Sequence, residues 1–343
     1  MKLLLLISLS VLLPGPAYGQ EPRVGIIDFY GLRSLSERRA RQALQIKEGD
    51  PFPASREEAQ RRLEALPNVR QALLNLVCCE GGKSILYVGV REKGARSLQF
   101  RRAPKGAVRL PETMLRARAA FEEALGEAVL KGDPGEDRSQ GHALNSYPKM
   151  RAVQEQFIAF AAHDFKLLRD VLRESADAGH RALAAEVIGY AADRREVVKE
   201  LAYGMSDPDG DVRNNSMRAL AVLAGFAQRH PERRIEVPVE PFIDMLNSVV
   251  WTDRNKSSMA LSELTEKRDP AILSKLRERA LPSLVEMSRW KSLGHASYPL
   301  TLLGRVGNLP EDEILKAKAS AGGDREALIE EVLRRVRANR RRG

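Results

Sequence analysis

From residue 148 onward the sequence reads as one helix after another, and pieces of it repeat. "RALAAEVIGYAAD" (181–193) and "RALAVLAGFAQR" (218–229) are alike, and a shift of 36 places Gly189 on Gly225, while "SMALSELTEKRD" (258–269) and "YPLTLLGRVGN" (298–308) extend the series. Spacings of roughly 40 residues suit a two-helix unit that cannot bury its apolar stripe alone and must stack on its neighbours. Partner helices lie between them, in "REVVKELAYGM", "VEPFIDMLNSVV", "AILSKLRERALPSLVEM" and "REALIEEVLRRVRAN", and an earlier pair, "AVQEQFIAFAAH" and "DFKLLRDVLRES", is expected to cap the array. Stacked pairs leave an extended surface suited to binding.

The stretch "SDPDGDVRNNSMRALAVLAGF", with Asp207, Asp211, Val212 and Arg213 at a turn and helix start before an Ala-Leu stripe, resembles a HEAT repeat. The third unit has no Val-Arg pair and the fourth carries Pro299 within its helix, so the resemblance rests on one unit.

The first part of the chain has a different pattern. "PRVGIIDFYGL" (22–32) reads as a strand and "SERRARQALQI" as a helix capped by Ser36, with Ala40, Ala43, Leu44 and Ile46 on one stripe. Gly49, Pro51 and Pro53 end it. Ser55 and Glu58 form a capping-box pattern for "REEAQRRLEALPNV", whose buried stripe is Ala59, Leu63 and Leu66. Two extended runs, "RQALLNLVCC" and "SILYVGVRE", flank "EGGK". A three-residue loop at Gly81–Lys83 would pair Cys78 with Leu86, Leu76 with Val88 and Leu74 with Val90, apolar on apolar. Neighbouring strand residues point to opposite faces, so Cys78 and Cys79 are expected not to bridge, Cys78 facing the core and Cys79 facing outward, open to pairing between chains.

The β-α-α-β-β order, the "IKEGDPFP" turn, "RRLEALPNV" and the hairpin ending "VGVREK" resemble a POTRA domain over residues 24–93. The resemblance implies a mixed three-stranded sheet with two helices on one face and a free edge at residues 69–78, to which a partner polypeptide adds as a strand. Val69, Gln71, Leu73, Asn75 and Val77 are the candidate contacts on that edge. Trp251 and Trp290 are candidate anchors for a partner in the helical region.

The fold class expected is α+β plus all-α. Residues 1–19 read as a signal peptide, 22–95 as the POTRA-like domain, 96–147 as a linker with one amphipathic helix, and 148–340 as a HEAT-like solenoid with a basic tail. The basic start, short apolar run and small residues before Gly19 predict an exported, periplasmic chain, soluble or membrane-associated. The net charge of +10 sits largely in Arg334, Arg335, Arg337, Arg340, Arg341 and Arg342, which suit an anionic surface. Aromatic residues make up only 5% of the chain, which leaves few stacking platforms and argues against specific nucleic-acid binding.

Chemistry is sparse. Asp207, Asp209 and Asp211 alternate as in a calcium loop, but Val212 and Arg218 stand where Gly and Glu are needed, so an inter-repeat turn with Asp211 as helix cap is expected instead. His142, His163, His180, His230 and His295 form no ligand motif. No catalytic residue, metal or cofactor is predicted. The expected role is a non-catalytic cell-envelope scaffold for polypeptide partners, including outer-membrane assembly or secretion components. The alternative is a hydrolase or lyase on a helical array.

Overall fold

The computed structural model describes residues 23–340 except 54, 132–134 and 321–322. The segment read as a signal peptide and the arginines at 341 and 342 lie outside the described residues. These fall into two compact units: residues 23–98 together with 239–340, and residues 99–238.

The first unit opens with β1 (Ile26–Tyr30), α1 (Glu37–Leu44), α2 (Arg56–Glu64), β2 (Val69–Glu80) and β3 (Lys83–Glu92). The strands form one mixed sheet in the order β1-β3-β2, β1 parallel to β3 and β2 antiparallel to it. One face is apolar: Ala72, Leu74, Leu86, Val88 and Val90, on one side of the hairpin as the alternation predicts, and Ile27 and Phe29 of β1 pack with Ala40, Leu44, Ala59 and Leu63 of the two helices. Ser36 caps α1 as expected, accepting from the Arg39 N–H. The capping box at α2 does not form, because the Ser55 hydroxyl donates to Glu57 and makes no bond to the helix N–H groups.

The hairpin register differs from the expected one. Leu76 pairs with Leu86, Leu74 with Val88 and Ala72 with Val90, while Glu80 pairs with Lys83 across a two-residue Gly81-Gly82 turn. Both glycines have positive φ, 55° and 77°, as a tight turn of the strand-matching hand requires. An irregularity between Val77 and Glu80 takes up the residue that such a turn leaves over, so each apolar residue keeps its face but meets a partner two positions away. Cys78 lies in this irregularity, is exposed, and is disulfide-bonded. The expectation of a buried, unbridged Cys78 is therefore corrected, since a bulge breaks the strict alternation on which it stood. The Cys79 side chain lies outside the described residues.

At the end of β3, Glu92 is 4% exposed, and its carboxylate accepts from the N–H groups of Arg33, Ser34 and Leu35 and from the Ser34 hydroxyl. It ties the loop after β1 to the sheet.

The second unit begins with α3 (Glu112–Lys131), then β4 (Glu136–Asp137), β5 (Leu144–Asn145), α4 (Pro148–His163), α5 (Phe165–Glu174), α6 (Ala178–Ile188), α7 (Arg194–Gly204) and α8 (Gly210–Arg229). The amphipathic α3 packs on α4 through Phe121, Leu125, Ala128 and Met150. α5 to α8 are paired, stacked helices, and their repeat is offset from the expected one. The equivalent caps Asp177 and Asp209 are 32 residues apart, and so are Arg181 and Arg213, each of which donates to the carbonyl six residues before it. The Ala-Leu stripe matches itself after sliding one helical turn, which is why the sequence alignment settled four residues away. The cap of α8 is Asp209, not Asp211.

The first unit is completed by α9 (Glu240–Met245), α10 (Trp251–Leu264), α11 (Pro270–Arg279), α12 (Leu281–Ser288), α13 (Leu293–Val306), α14 (Glu311–Ala319) and α15 (Gly323–Arg340). They are again stacked helices, with Leu261, Leu276, Leu284, Leu302, Leu303 and Ile329 fully buried among them. Pro299 is accommodated inside α13. No described helix is long and apolar enough to cross a membrane.

Candidate functional site

Among the described strands β2 bonds to β3 alone, so its other side is a sheet edge. Which residues offer their main chain there follows from three hydrogen bonds. Ala72 N–H donates to the Glu64 carboxylate of α2 at 2.9 Å and so points away from β3. On the other side of the sheet, Gly25 N–H donates to Ser84 O, and the Val90 carbonyl abuts Gly31. Even-numbered residues of β3 therefore aim their main chain at β1, and odd-numbered ones aim theirs at β2. On β2, the main-chain groups of Gln71, Leu73, Asn75 and Val77 are spent on β3, and those of Ala72, Leu74 and Leu76 face the open edge.

This divides the expected contact set. Val69 is buried, while Gln71, Leu73, Asn75 and Val77 are half-buried, and the side chains of these last four share the sheet face opposite α1 and α2. They can touch a partner with side chains but do not supply the edge hydrogen bonds. Asn75 Nδ2 is buried without a hydrogen-bond partner among the described residues. Glu64 already occupies the Ala72 amide, so the open stretch starts at Leu74. Propensity rules could not show this, because it depends on which residues pair across the hairpin.

Trp251 and Trp290 are not on an open surface. They are 5% and 1% exposed and lie against the second face of the sheet. Tyr87 stacks on Trp251 with ring centroids 5.0 Å apart and meets Trp290 at 5.1 Å, and Tyr30 meets Trp290 edge-on at 6.1 Å. Tyr30 O–H donates to Val249 O at 2.7 Å, Gly31 N–H donates to the Glu286 carboxylate, and Lys291 N–H donates to Asp28 at 2.7 Å. Arg254 reaches Glu286 at 2.8 Å and lies over the Tyr30 ring. The two indoles thus anchor the chain's own sheet. Gly89 makes the fit: a Cβ there would meet Val249 O at 2.4 Å and the Tyr30 hydroxyl at 2.5 Å.

Burial sets the ionisation of this interface. It raises both phenols, of Tyr30 and Tyr87, above their ordinary value. It raises Asp28 to about 6 against the opposing Lys291 N–H bond. It lowers His295 to about 4, so the ring is neutral at pH 7, and its Nδ1 shares a 2.8 Å hydrogen bond with the Tyr87 hydroxyl.

The other histidines are scattered. His163 ends α4, His180 Nδ1 accepts from Leu110 N–H, His142 tilts on Tyr190, and His230 packs on Phe226. No group of three His, Cys, Asp or Glu among the described residues could hold a metal ion. Asp207 is fully buried and bridges Arg181 and Arg101, which is incompatible with the loop geometry of a calcium site. Arg334 and Arg335 both pair with Glu331, and Arg337 is exposed beside them.

No protein-family model matches the chain, and no curated protein is similar to it. Solved structures do match, among them a designed armadillo repeat protein, 12% identical, with a TM-score of 0.34 over 58% of this chain and 98% of that one.

Proposed function

We propose that this chain is a non-catalytic, polypeptide-binding scaffold of the cell envelope, in which a POTRA-like module is built onto HEAT-like helix pairs and captures a partner segment by strand addition. The observation that carries the proposal is the position of β2: an edge strand whose main chain at Leu74 and Leu76 faces away from β3. Exposed sheet edges bind extended polypeptide through main-chain hydrogen bonds with little demand on side chains. The order β1-α1-α2-β2-β3 and the mixed sheet support the POTRA-like reading, and the paired helices with their recurring Asp caps and Arg bonds support the HEAT-like one. Export rests on the N-terminal sequence alone. The arginines of α15 and beyond add attraction to an anionic surface.

Cross-linking tests the edge directly. A photo-reactive residue at exposed Arg70, in full-length protein in the cell, is expected to trap a polypeptide identifiable by mass spectrometry. Leu76→Pro removes an outward N–H while leaving the ladder to β3, so it should abolish trapping with the fold retained. Trapping that survives Leu76→Pro in a folded protein would sink the strand-addition reading.

A further inference from the structure

Between β3 and α3 the chain runs without helix or strand, yet residues 99–110 are held to the second unit at every few positions. Arg101 N–H donates to Ser206 O at 2.8 Å in the turn before α8. Its guanidinium pairs with the fully buried Asp207, donates to Leu172 O and lies 4.1 Å from the Tyr203 ring centroid. Arg213 covers the Phe100 ring at 4.0 Å. Five residues on, Gly106 N–H donates to Glu174 O at 2.7 Å and Gly106 O accepts from Ala176 N–H at 2.8 Å, in the turn before α6. A Cβ at Gly106 would meet Glu174 O at 2.5 Å. Leu110 N–H then donates to His180.

The two turns engaged are the equivalent turns of successive repeats, those capped by Asp177 and Asp209. Extended polypeptide is therefore bound here by main-chain bonds to repeated turns, with one side-chain pocket for arginine and one for an aromatic ring. We propose that this line of turns is a peptide-binding ladder, and that residues 99–110 occupy it as an internal ligand that an extended partner segment displaces. The segment it takes carries an aromatic-Arg pair followed by a glycine five residues after the arginine. Tethering gives the internal segment a high effective concentration, so a free segment binds only once the internal one is weakened or outcompeted. Asp207 keeps its bidentate pair with Arg181 when Arg101 leaves, so no bare charge is stranded. The inference rests on the reading of the chain as a polypeptide binder, but it concerns residues 99–238 alone. Loss of capture at β2 would leave it standing.

The test uses full-length protein and a fluorescent synthetic peptide copying residues 99–110. A double variant, Arg101→Ala with Gly106→Val, should bind the peptide at least about tenfold more tightly than the unaltered chain, whose ladder is filled. The same peptide carrying both changes should bind neither protein. Equal binding by both proteins, or none by a variant whose helical circular dichroism is intact, overturns the proposal. Should the variant not fold, hydrogen exchange on the unaltered chain decides. The amides of Arg101, Gly106 and Leu110 are expected to exchange through an opening that leaves α6 and α8 protected, and exchange only together with those helices overturns the proposal.

Discussion

One face of the β1-β3-β2 sheet presents Ile27, Phe29, Leu86 and Val88 to two helices of its own module, and the other presents Asp28, Tyr30, Tyr87 and Gly89 to helices from the far end of the chain. The first face is held by apolar area, is filled by local neighbours, and tolerates exchange among residues of similar volume. The second is held by aromatic contacts, hydrogen bonds reaching across more than half the chain and a close backbone approach at Gly89. Area alone makes a core, whereas the second face fixes one docking position. Breaking each face separately should therefore give different signatures.

The largest effect is expected at Gly89→Val. The new side chain meets the Val249 carbonyl and the Tyr30 hydroxyl inside ordinary contact distance, so the sheet must lift from α10, α12 and α13. A loss of roughly 3–5 kcal/mol is expected from a misfit of this kind. Tryptophan fluorescence should shift to the red in the folded state as Trp251 and Trp290 become wet. Fluorescence unchanged in a folded Gly89→Val protein would show that the second face is not what encloses the indoles. Leu86→Ala comes next, on the first face. It should cost about 2–4 kcal/mol by denaturant unfolding while leaving folded-state fluorescence unaltered, because the cavity opens toward α1 and α2.

How far each face was legible follows from the same contrast. The apolar face and the order of its five elements stand in the local sequence, because period-two alternation in "SILYVGVRE" and the stripes in α1 and α2 need no knowledge of distant chain. Asp28, Tyr30 and Tyr87 alternate with that apolar set, and only the tertiary partner reveals them as buried. The size of Trp251 and Trp290 marks them as candidate anchors, but sequence carries no sign of what an anchor holds. The vicinal cysteines misled for a further reason. Strand alternation does not hold through a bulge, and the Gly81-Gly82 pair, which favours a two-residue turn, is the local sign of one.

Glu92 sharpens the comparison from the rim of the first face. Burial opposes its charge, but the Ser34 hydroxyl and the N–H groups of Arg33, Leu35 and Ser34 outweigh it and bring the carboxyl down to about 2. A folded value below the unfolded one means stability that is present above about pH 4.5 and is lost as pH falls through about 2. Glu92→Gln should cost on the order of 2 kcal/mol at pH 7, and the difference from the unaltered protein should shrink toward pH 3. A cost that does not change with pH would mean that shape, not charge, is what the loop after β1 requires.

Asp28 on the second face titrates in the opposite sense, which makes it the finest probe of the difference. Burial raises its carboxyl from 3.8 to about 6, with Glu37 adding to the rise and Lys291 and Arg325 opposing it. A folded value above the unfolded one contributes stability that is complete below about pH 4 and disappears as pH rises through about 6. At neutral pH the docked sheet thus carries an ionised Asp28 that it would hold more comfortably neutral. Asp28→Asn keeps an oxygen for the Lys291 N–H and removes the charge. It should raise the unfolding free energy at pH 7.5 by on the order of 1 kcal/mol and change little at pH 4. His295, neutral in both proteins at pH 7.5, becomes harder to keep docked as pH falls toward 4, but it does so equally in both and cancels in the difference. Destabilisation by Asp28→Asn at every pH would reverse the assignment. It would show that the charged carboxylate and Lys291 together hold the second face closed, and that the two faces differ in geometry more than in electrostatics.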